Sequence, residues 1–231
     1  VHGMRTYNPT MDADFAVSVA DWDGFAELKR RLVSSGDFAP DPHQEQRLNY
    51  KGIYIADLVP FGGLEGPTGS ISWPLDPGMQ MNVRGLAEVS AAAEDVEVAT
   101  GAIIRIATLP GLMALKILAW ADRHNPKDAW NMADILRNYG DISTVEERIY
   151  AEGMLFKAKQ YDMGRAGAAM LGRDVAAILK QPELAAVRKT VAEGLSGEKL
   201  AFQLALAIPC DPDKKLGAAS EALGDFMGGL G

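Results

Sequence analysis

Apolar and polar residues alternate near the start of the chain in a pattern that predicts a β-strand. Over residues 10–19 the apolar side chains fall at alternate positions, and Asp12 and Asp14 lie between them. Because the side chains of a strand point alternately to its two faces, both carboxylates are expected on one face, about 7 Å apart. Two like charges this close require a solvated edge or a bound cation.

A second predicted strand carries a single acid. Residues 52–61 form a nearly continuous apolar run in which Asp57 is the one charged side chain. This composition is typical of a strand buried on both faces, where a carboxylate is costly unless it is paired or binds a metal. Residues 47–50 are predicted to pair with this strand as a hairpin.

The remaining pattern predicts further strands and loops before residue 108 and helices after it. A helix is predicted from Asp21, its N-cap, to residue 34. Glycine and proline predict a long loop over residues 62–82, with at most a short strand at 71–73. The other predicted elements are strands at 86–98 and 101–107, helices at 109–123, from 126, and at 143–159, 162–180, 183–194 and 197–207, a turn at 211–215 and a frayed tail at 228–231.

Composition narrows the class of protein. The 231 residues suffice for one or two domains, and the single cysteine excludes an internal disulfide and fits a reducing compartment. There is no apolar run long enough to cross a membrane and no secretory signal, so a cytoplasmic protein is expected. The sequence lacks a P-loop, a Gly-x-Ser-x-Gly elbow and histidines at zinc-ligand spacing.

The net charge of −8 lies mostly in residues 1–110, which carry −7. This argues against a broad nucleic-acid surface there and suits a site that collects cations, although acidity also aids solubility. Asp12, Asp14 and Asp57 together predict a site for Mg²⁺ or Mn²⁺, because hard cations bind carboxylate oxygens. The alternative is that the first two acids lie on an exposed edge and the third caps a strand end.

The first two predicted helices of the second half also carry charged residues of interest. Lys116 and Arg123 are two turns apart on a largely apolar helix, so Lys116 either extends to solvent or reaches a phosphate. Asn125 is expected to cap the next helix, which places Asp128 in its first turn. The helix dipole favours an acid there without any catalytic role.

Three stretches together resemble the nucleotidyltransferase superfamily, of polymerase-β-like fold, and more narrowly its AbiEii/AbiGii toxin-type members. They are residues 10–15 (TMDADF), 55–62 (IADLVPFG) and 115–123 (LKILAWADR), the last running on to Lys127 and Asp128. The resemblance covers about residues 5–140. It implies an α+β fold with a nucleotidyltransferase-type mixed sheet and flanking helices, followed by a helical C-terminal region.

The resemblance also implies roles for particular residues. Asp12, Asp14 and Asp57 would hold Mg²⁺ or Mn²⁺, and Asp57 would help to deprotonate the acceptor. Four further residues are implied to lie near the nucleotide or the acceptor: Lys116, Arg123, Lys127 and Asp128. The domains expected on this basis are a core at 1–108 and a helical region at 109–231, whose first two helices complete the active site.

The activity implied is metal-dependent transfer of a nucleoside monophosphate from a nucleoside triphosphate to an acceptor, which could be a tRNA, a protein or a small molecule. Such a protein could belong to a toxin–antitoxin or phage-defence system and have a cognate protein partner. The alternative is a catalytically degenerate protein of this fold that acts as an interaction partner. A phosphohydrolase would normally add histidine ligands.

The chain departs from the family pattern at several positions. No Gly-Gly or Gly-Ser step precedes Asp12, so that phosphate-cradling element is either upstream of Val1 or lost. Asn8 stands where relatives often have arginine, and Asn131 stands where they often have a further acid, with Asp134 one turn later.

Overall fold

The computed structural model describes residues 11–197 and 199–231, so the expectations for Asn8 and for the region before Met11 lie outside it. The described chain divides into a strand-rich unit that ends at Ala87 and a helical unit that runs from Glu88 to Gly231. The fold is α+β, with a mixed four-stranded sheet and a helical C-terminal region, as the sequence predicts. The division into functional domains at residue 108 stays a prediction.

The strand-rich unit is built on the four-stranded sheet. Its elements are β1 (Asp12–Val19), α1 (Trp22–Ser34), β2 (Phe38–Pro40), β3 (Arg47–Tyr50), β4 (Tyr54–Gly62), β5 (Ser70–Ser72) and β6 (Gln80–Asn82). The strand order is β1-β4-β3-β2, in which β1 runs parallel to β4 and the other pairs are antiparallel. Strands β5 and β6 form a separate antiparallel pair.

Local sequence explains how these elements begin and turn. The Asp21 side chain accepts a hydrogen bond from the Gly24 backbone N–H at 2.8 Å and caps α1, as predicted. Between β3 and β4 the chain turns through Lys51 and Gly52, which have φ values of 51° and 67°. This short turn fixes the register of the predicted hairpin, and it sets Arg47 opposite Asp57.

One face of the sheet belongs to a hydrophobic core. Phe25 of α1, Leu48 of β3 and Ala56 and Leu58 of β4 are buried together in it. Because side chains alternate along a strand, Asp57 points away from the face that carries Ala56 and Leu58. The sequence of β4 therefore separates its one acid from this part of the core.

The helical unit contains the remaining elements. Helix α2 (Leu86–Ala91) spans the junction, and after it come β7 (Glu94–Glu97), β8 (Ile103–Ile106), α3 (Leu109–Arg123), α4 (Pro126–Asn138), α5 (Ser143–Glu152), α6 (Met154–Ala158), α7 (Met163–Ile178), α8 (Glu183–Ser196), α9 (Lys199–Ala207) and α10 (Lys215–Leu230). Asn125 caps α4 by accepting a hydrogen bond from the Lys127 N–H at 3.0 Å, as predicted. Within the described residues, none of the helices has the length and apolar character needed to cross a membrane.

Three predictions of secondary structure are wrong in part. Residues 62–82 contain the paired strands β5 and β6, and residues 86–98 begin as helix α2 before β7. The run from Leu86 to Ala91 is rich in strong helix formers, and its Val89 is buried. The predicted helix at 143–159 is interrupted at Gly153, which has a φ of 38°.

The predicted frayed tail is instead the end of α10. Leu230 is buried, and α10 packs along α7 in the core of the helical unit. Glycines permit this close packing, because a Cβ on Gly172 would lie 2.2 Å from the Phe226 carbonyl oxygen, and a Cβ on Gly229 would lie 2.0 Å from that of Ala169. The glycine content that suggested a loose end therefore serves helix packing.

Candidate functional site

The register of β1 and β4 brings the predicted acids together on one face of the sheet. Asp14 is paired with Asp57, and Asp12 is paired with Ile55. Residues in register on neighbouring strands point to the same side, and so do residues two apart on one strand. Asp12, Asp14 and Asp57 therefore share one side of the sheet, which we call the acidic face. The sequence predicts the shared face of Asp12 and Asp14, and the strand register adds Asp57.

The three acids differ in their surroundings. Asp12 and Asp14 lie on the edge strand of the four-stranded sheet and are exposed to solvent. Asp57 lies on the neighbouring strand, and its side chain is only 13% exposed. A carboxylate so placed needs a partner of opposite charge or several hydrogen bonds.

Arg47 is the partner of Asp57. Its Nε donates to Asp57 Oδ1 at 2.8 Å and its Nη2 donates to Asp57 Oδ2 at 2.7 Å, a two-pronged geometry that favours arginine over lysine. The pKa of Arg47 is raised, first by its hydrogen bonding to Asp57, against the effect of burial, and further by the charges of Asp57, Asp41 and Asp12. The guanidinium is therefore a permanent positive charge on the acidic face.

The acidic face suits a cation chemically, but the structure does not demonstrate a three-acid metal site. Among residues 11–197 and 199–231, no group of three or more acidic, histidine or cysteine side chains is arranged to hold one metal ion. All three acids carry the oxygen donors that Mg²⁺ prefers, and both oxygens of Asp57 accept hydrogen bonds from Arg47. The metal-ligand roles of Asp12, Asp14 and Asp57 stay predictions.

In the helical unit, three of the predicted residues converge: Lys116 from the middle of α3, Arg123 from its last turn and Asp128 from the first turn of α4. Asp128 is 1% exposed, and Arg123 holds it with Nε to Oδ2 at 2.8 Å and Nη2 to Oδ1 at 2.7 Å. Lys116 Nζ lies 3.7 Å from Asp128 Oδ1, and its side chain is partly exposed. Asp128 therefore does more than interact favourably with the helix dipole, because it also pairs with Arg123 and Lys116.

The other predicted residues of α4 do not join this cluster. Lys127 is exposed, and Asn131 is exposed on the next turn. Asp134 is also exposed and lies 3.7 Å from Arg137, an ion pair of the kind that contributes little to stability. The structure thus brings together Lys116, Arg123 and Asp128 and leaves Lys127 apart from them.

Sequence reasoning missed Arg47 as a partner of Asp57. The signal was available, because the short hairpin turn at Lys51 and Gly52 sets Arg47 opposite Asp57 in the antiparallel register. An acid in an apolar strand suggests a search for a nearby cation on the paired strand as well as a search for a metal.

Sequence reasoning also missed two polar clusters inside the helical unit. Asp225 of α10 accepts hydrogen bonds from Lys159 at 2.7 Å and from Arg165 at 2.8 Å. Burial alone would raise the pKa of Asp225, but the hydrogen bonds from Arg165 and Lys159 outweigh that effect and lower it. The residues of this cluster are far apart in sequence, and no local pattern signals their contact.

The second cluster joins Tyr139, Arg148 and Asp174. Tyr139 donates a hydrogen bond to Asp174 Oδ2 at 2.5 Å, and Arg148 donates to both oxygens of the same carboxylate. Burial and the hydrogen bond to Asp174 raise the pKa of the Tyr139 hydroxyl. A fully partnered network of this kind is typical of a structural role.

The chain was compared with known protein families, curated proteins and solved structures. No protein-family model, curated protein or solved structure matches the chain.

Proposed function

We propose that the chain is a metal-dependent nucleotidyltransferase that moves a nucleoside monophosphate from a nucleoside triphosphate to an acceptor. The observation that carries the proposal is the pairing of Asp14 with Asp57 across parallel strands, with Asp12 two residues away on the same face. Acids from two adjacent strands that share one face can act on one ligand. The resemblance of the surrounding sequence gives the reaction type.

Asp12 and Asp14 are the residues proposed to hold Mg²⁺ or Mn²⁺. Both are exposed at the edge of the sheet, so a hydrated cation and its triphosphate have access to them. The bound ion would supply positive charge against the phosphate oxygens. Each oxygen of Asp57 accepts a hydrogen bond from Arg47, so in this arrangement the edge between the two oxygens is occupied and Asp57 contributes mainly charge to the acidic face.

On the strength of the resemblance, two cations of the helical unit are proposed to act on phosphate. Lys116 and Arg123 are held by the buried Asp128, which limits the positions that their charged groups can take. Prepositioned cations neutralise phosphate charge in phosphoryl transfer without reorganisation. Lys127, which is exposed, is proposed for the same role on the strength of the resemblance alone.

A second function has one observation in its favour. Arg47 engages both oxygens of Asp57, and Arg123 engages both oxygens of Asp128. Two of the proposed catalytic carboxylates thus already have arginine partners, which is what a non-catalytic protein of this fold would show. Such a protein would act as an interaction partner, for example of a cognate toxin or antitoxin.

Transfer of labelled nucleotide distinguishes the two functions. The chain would be incubated with Mg²⁺, nucleoside triphosphates labelled at the α-phosphate, and acceptors drawn from total tRNA, protein and small metabolites. Transfer should occur, and Asp14→Asn should lower it by about a hundredfold or more, because loss of a residue that merely supports a metal ligand already costs about 10–100-fold.

Asp95→Asn is the matched control, because Asp95 is an exposed acid on strand β7. It should leave transfer unchanged. Absence of transfer to every acceptor would favour the non-catalytic protein. Equal transfer by the wild type and Asp14→Asn would contradict the proposed role of Asp14.

A further inference from the structure

We propose that Arg47 is a cation built into the acidic face and that it competes with a metal ion for Asp57. The guanidinium holds the carboxylate in the absence of metal, and a metal bound by Asp12 and Asp14 gains both oxygens of Asp57 as ligands only when Arg47 releases them. This inference rests on the proposed function, because it concerns the regulation of the same site.

The geometry of the pair supports competition. Arg47 and Asp57 are opposite each other on β3 and β4, and both hydrogen bonds are short and charge-assisted. The fork of the guanidinium takes one of the two lone pairs on each carboxylate oxygen. It thereby occupies the edge between the two oxygens, which a metal bound by both oxygens would also need. Asp57 therefore cannot present that edge to Arg47 and to a metal at the same time.

The electrostatics point the same way. A guanidinium fixed next to Asp57 repels a divalent cation, because unit charges a few ångströms apart still interact appreciably near a protein surface. Beside the hydrogen bonding to Asp57, which is the largest cause, the charge of Asp12 adds to the raised pKa of Arg47, so this exposed acid lies within electrostatic reach of the guanidinium. Arg47 thus lowers metal affinity in two ways: it occupies the carboxylate and it offsets the negative charge.

Binding of Mn²⁺ measured by electron paramagnetic resonance tests the inference without any activity assay. Arg47→Met removes both effects and should tighten Mn²⁺ binding by at least about tenfold, the equivalent of one of the two charge-assisted hydrogen bonds that are released. Arg47→Lys keeps the charge but loses the fork, so it should bind Mn²⁺ more tightly than the wild type and less tightly than Arg47→Met. The lysine variant also keeps Asp57 paired in case Arg47→Met weakens the sheet.

Arg105→Met is the matched control. Arg105 and Asp95 form a cross-strand pair in register on β7 and β8, at 3.6 Å, so the same substitution removes the same charge from a similar hairpin. Its Mn²⁺ affinity should equal that of the wild type. An equal gain in Arg105→Met would overturn the inference, since the effect would then come from net charge alone.

The outcomes separate this inference from the proposed function. If Mn²⁺ binding depends on Asp14 but its affinity is the same in the wild type and both Arg47 variants, competition is wrong and the metal site stands.

If Arg47→Lys binds Mn²⁺ with the affinity of the wild type while Arg47→Met binds it more tightly, the effect comes from charge, and competition for Asp57 is again wrong. If neither the wild type nor Arg47→Met binds Mn²⁺, both ideas fail. If Arg47→Met binds Mn²⁺ and the wild type does not, competition is supported. That result would contradict the proposal that the wild-type protein uses a metal.

Discussion

Arg123 donates two hydrogen bonds, at 2.8 and 2.7 Å, to the buried carboxylate of Asp128. The two residues lie at the end of α3 and in the first turn of α4. This pair joins two helices whose ends the sequence predicts well. Because both oxygens of a buried carboxylate accept hydrogen bonds, the loss of either partner should lower the free energy of unfolding.

Asp128→Ala should therefore destabilise the protein by about 1–3 kcal/mol, since it removes two charge-assisted hydrogen bonds. Urea unfolding followed by circular dichroism measures the change. The control is Asp134→Ala on the same helix, where the acid is exposed and loosely paired, and a change within about 0.5 kcal/mol is expected. Equal effects at the two positions would show that the buried pair adds nothing.

Asp225 should make stability depend on pH in the acidic range. Its pKa is lowered in the folded protein, because the hydrogen bonds from Arg165 and Lys159 outweigh burial, so the folded state favours the charged carboxylate. The resulting stabilisation is complete above the unfolded pKa and is lost as the pH falls through the lower, folded pKa. From about pH 5 downwards, the free energy of unfolding should fall more steeply in the wild type than in Asp225→Asn.

Chemical denaturation at a series of pH values measures this difference. At neutral pH, Asp225→Asn should be less stable by about 1–3 kcal/mol, and the gap should close on acidification. Asp134→Asn serves as the comparison and should follow the wild type throughout. A gap between the wild type and Asp225→Asn that is constant with pH would contradict the account of Asp225.

The packing of α10 against α7 predicts opposite effects for two neighbouring glycines. Gly229→Ala should destabilise the protein by about 1–3 kcal/mol or more, because its Cβ would lie 2.0 Å from the Ala169 carbonyl oxygen. Gly228→Ala meets no atom within 4 Å and should stabilise the helix by about 0.5–1 kcal/mol. Thermal unfolding of the two variants measures both signs. A frayed tail would make the two substitutions equivalent.

Lys116→Met tests whether this lysine reaches a phosphate. The change keeps the apolar stem and the helix, and it removes a charge-assisted contact worth about 1.5–3 kcal/mol if a phosphate is bound. Nucleoside-triphosphate affinity, measured by calorimetry with Mg²⁺, should then fall about ten- to a hundredfold.

Lys189→Met is the control for this substitution. Lys189 is an exposed helical lysine whose Nζ lies 3.8 Å from a carboxylate oxygen of Glu193. The Nζ of Lys116, which is partly exposed, lies at a similar distance, 3.7 Å, from Asp128. Its loss should leave the affinity unchanged. If Lys116→Met also binds the nucleotide as tightly as the wild type, Lys116 is a surface residue that pairs with Asp128.

Local patterns predicted much of the fold. The alternation in β1, the capping residues Asp21 and Asn125 and the bounds of α3 are all decided by neighbours in sequence, and all are found in the structure. The shared face of Asp12 and Asp14 also follows from sequence, because a period of two fixes which side chains of one strand share a face. The pairing of Asp14 with Asp57 depends instead on the register of two strands that are distant in sequence.

What the sequence did not predict depends on distant partners. The tail became α10 because glycines at 172 and 229 allow two helices to approach, which no local glycine count reveals. Asp225 meets Lys159 and Arg165 only after three segments fold together. The ion pair of Arg47 with Asp57 is different, because the hairpin that joins their strands is predicted from local sequence. The sequence analysis interprets Asp57 as a metal ligand instead.

The central claim is that Asp12 and Asp14 hold the metal on the acidic face. The most direct test is a crystal structure of the chain with Mn²⁺ and a non-hydrolysable nucleoside triphosphate, in which anomalous scattering locates the manganese. The claim predicts a peak about 2.0–2.3 Å from carboxylate oxygens of Asp12 and Asp14, with phosphate oxygens completing the ligand set. Manganese bound elsewhere, or nucleotide bound away from these two acids, would contradict it.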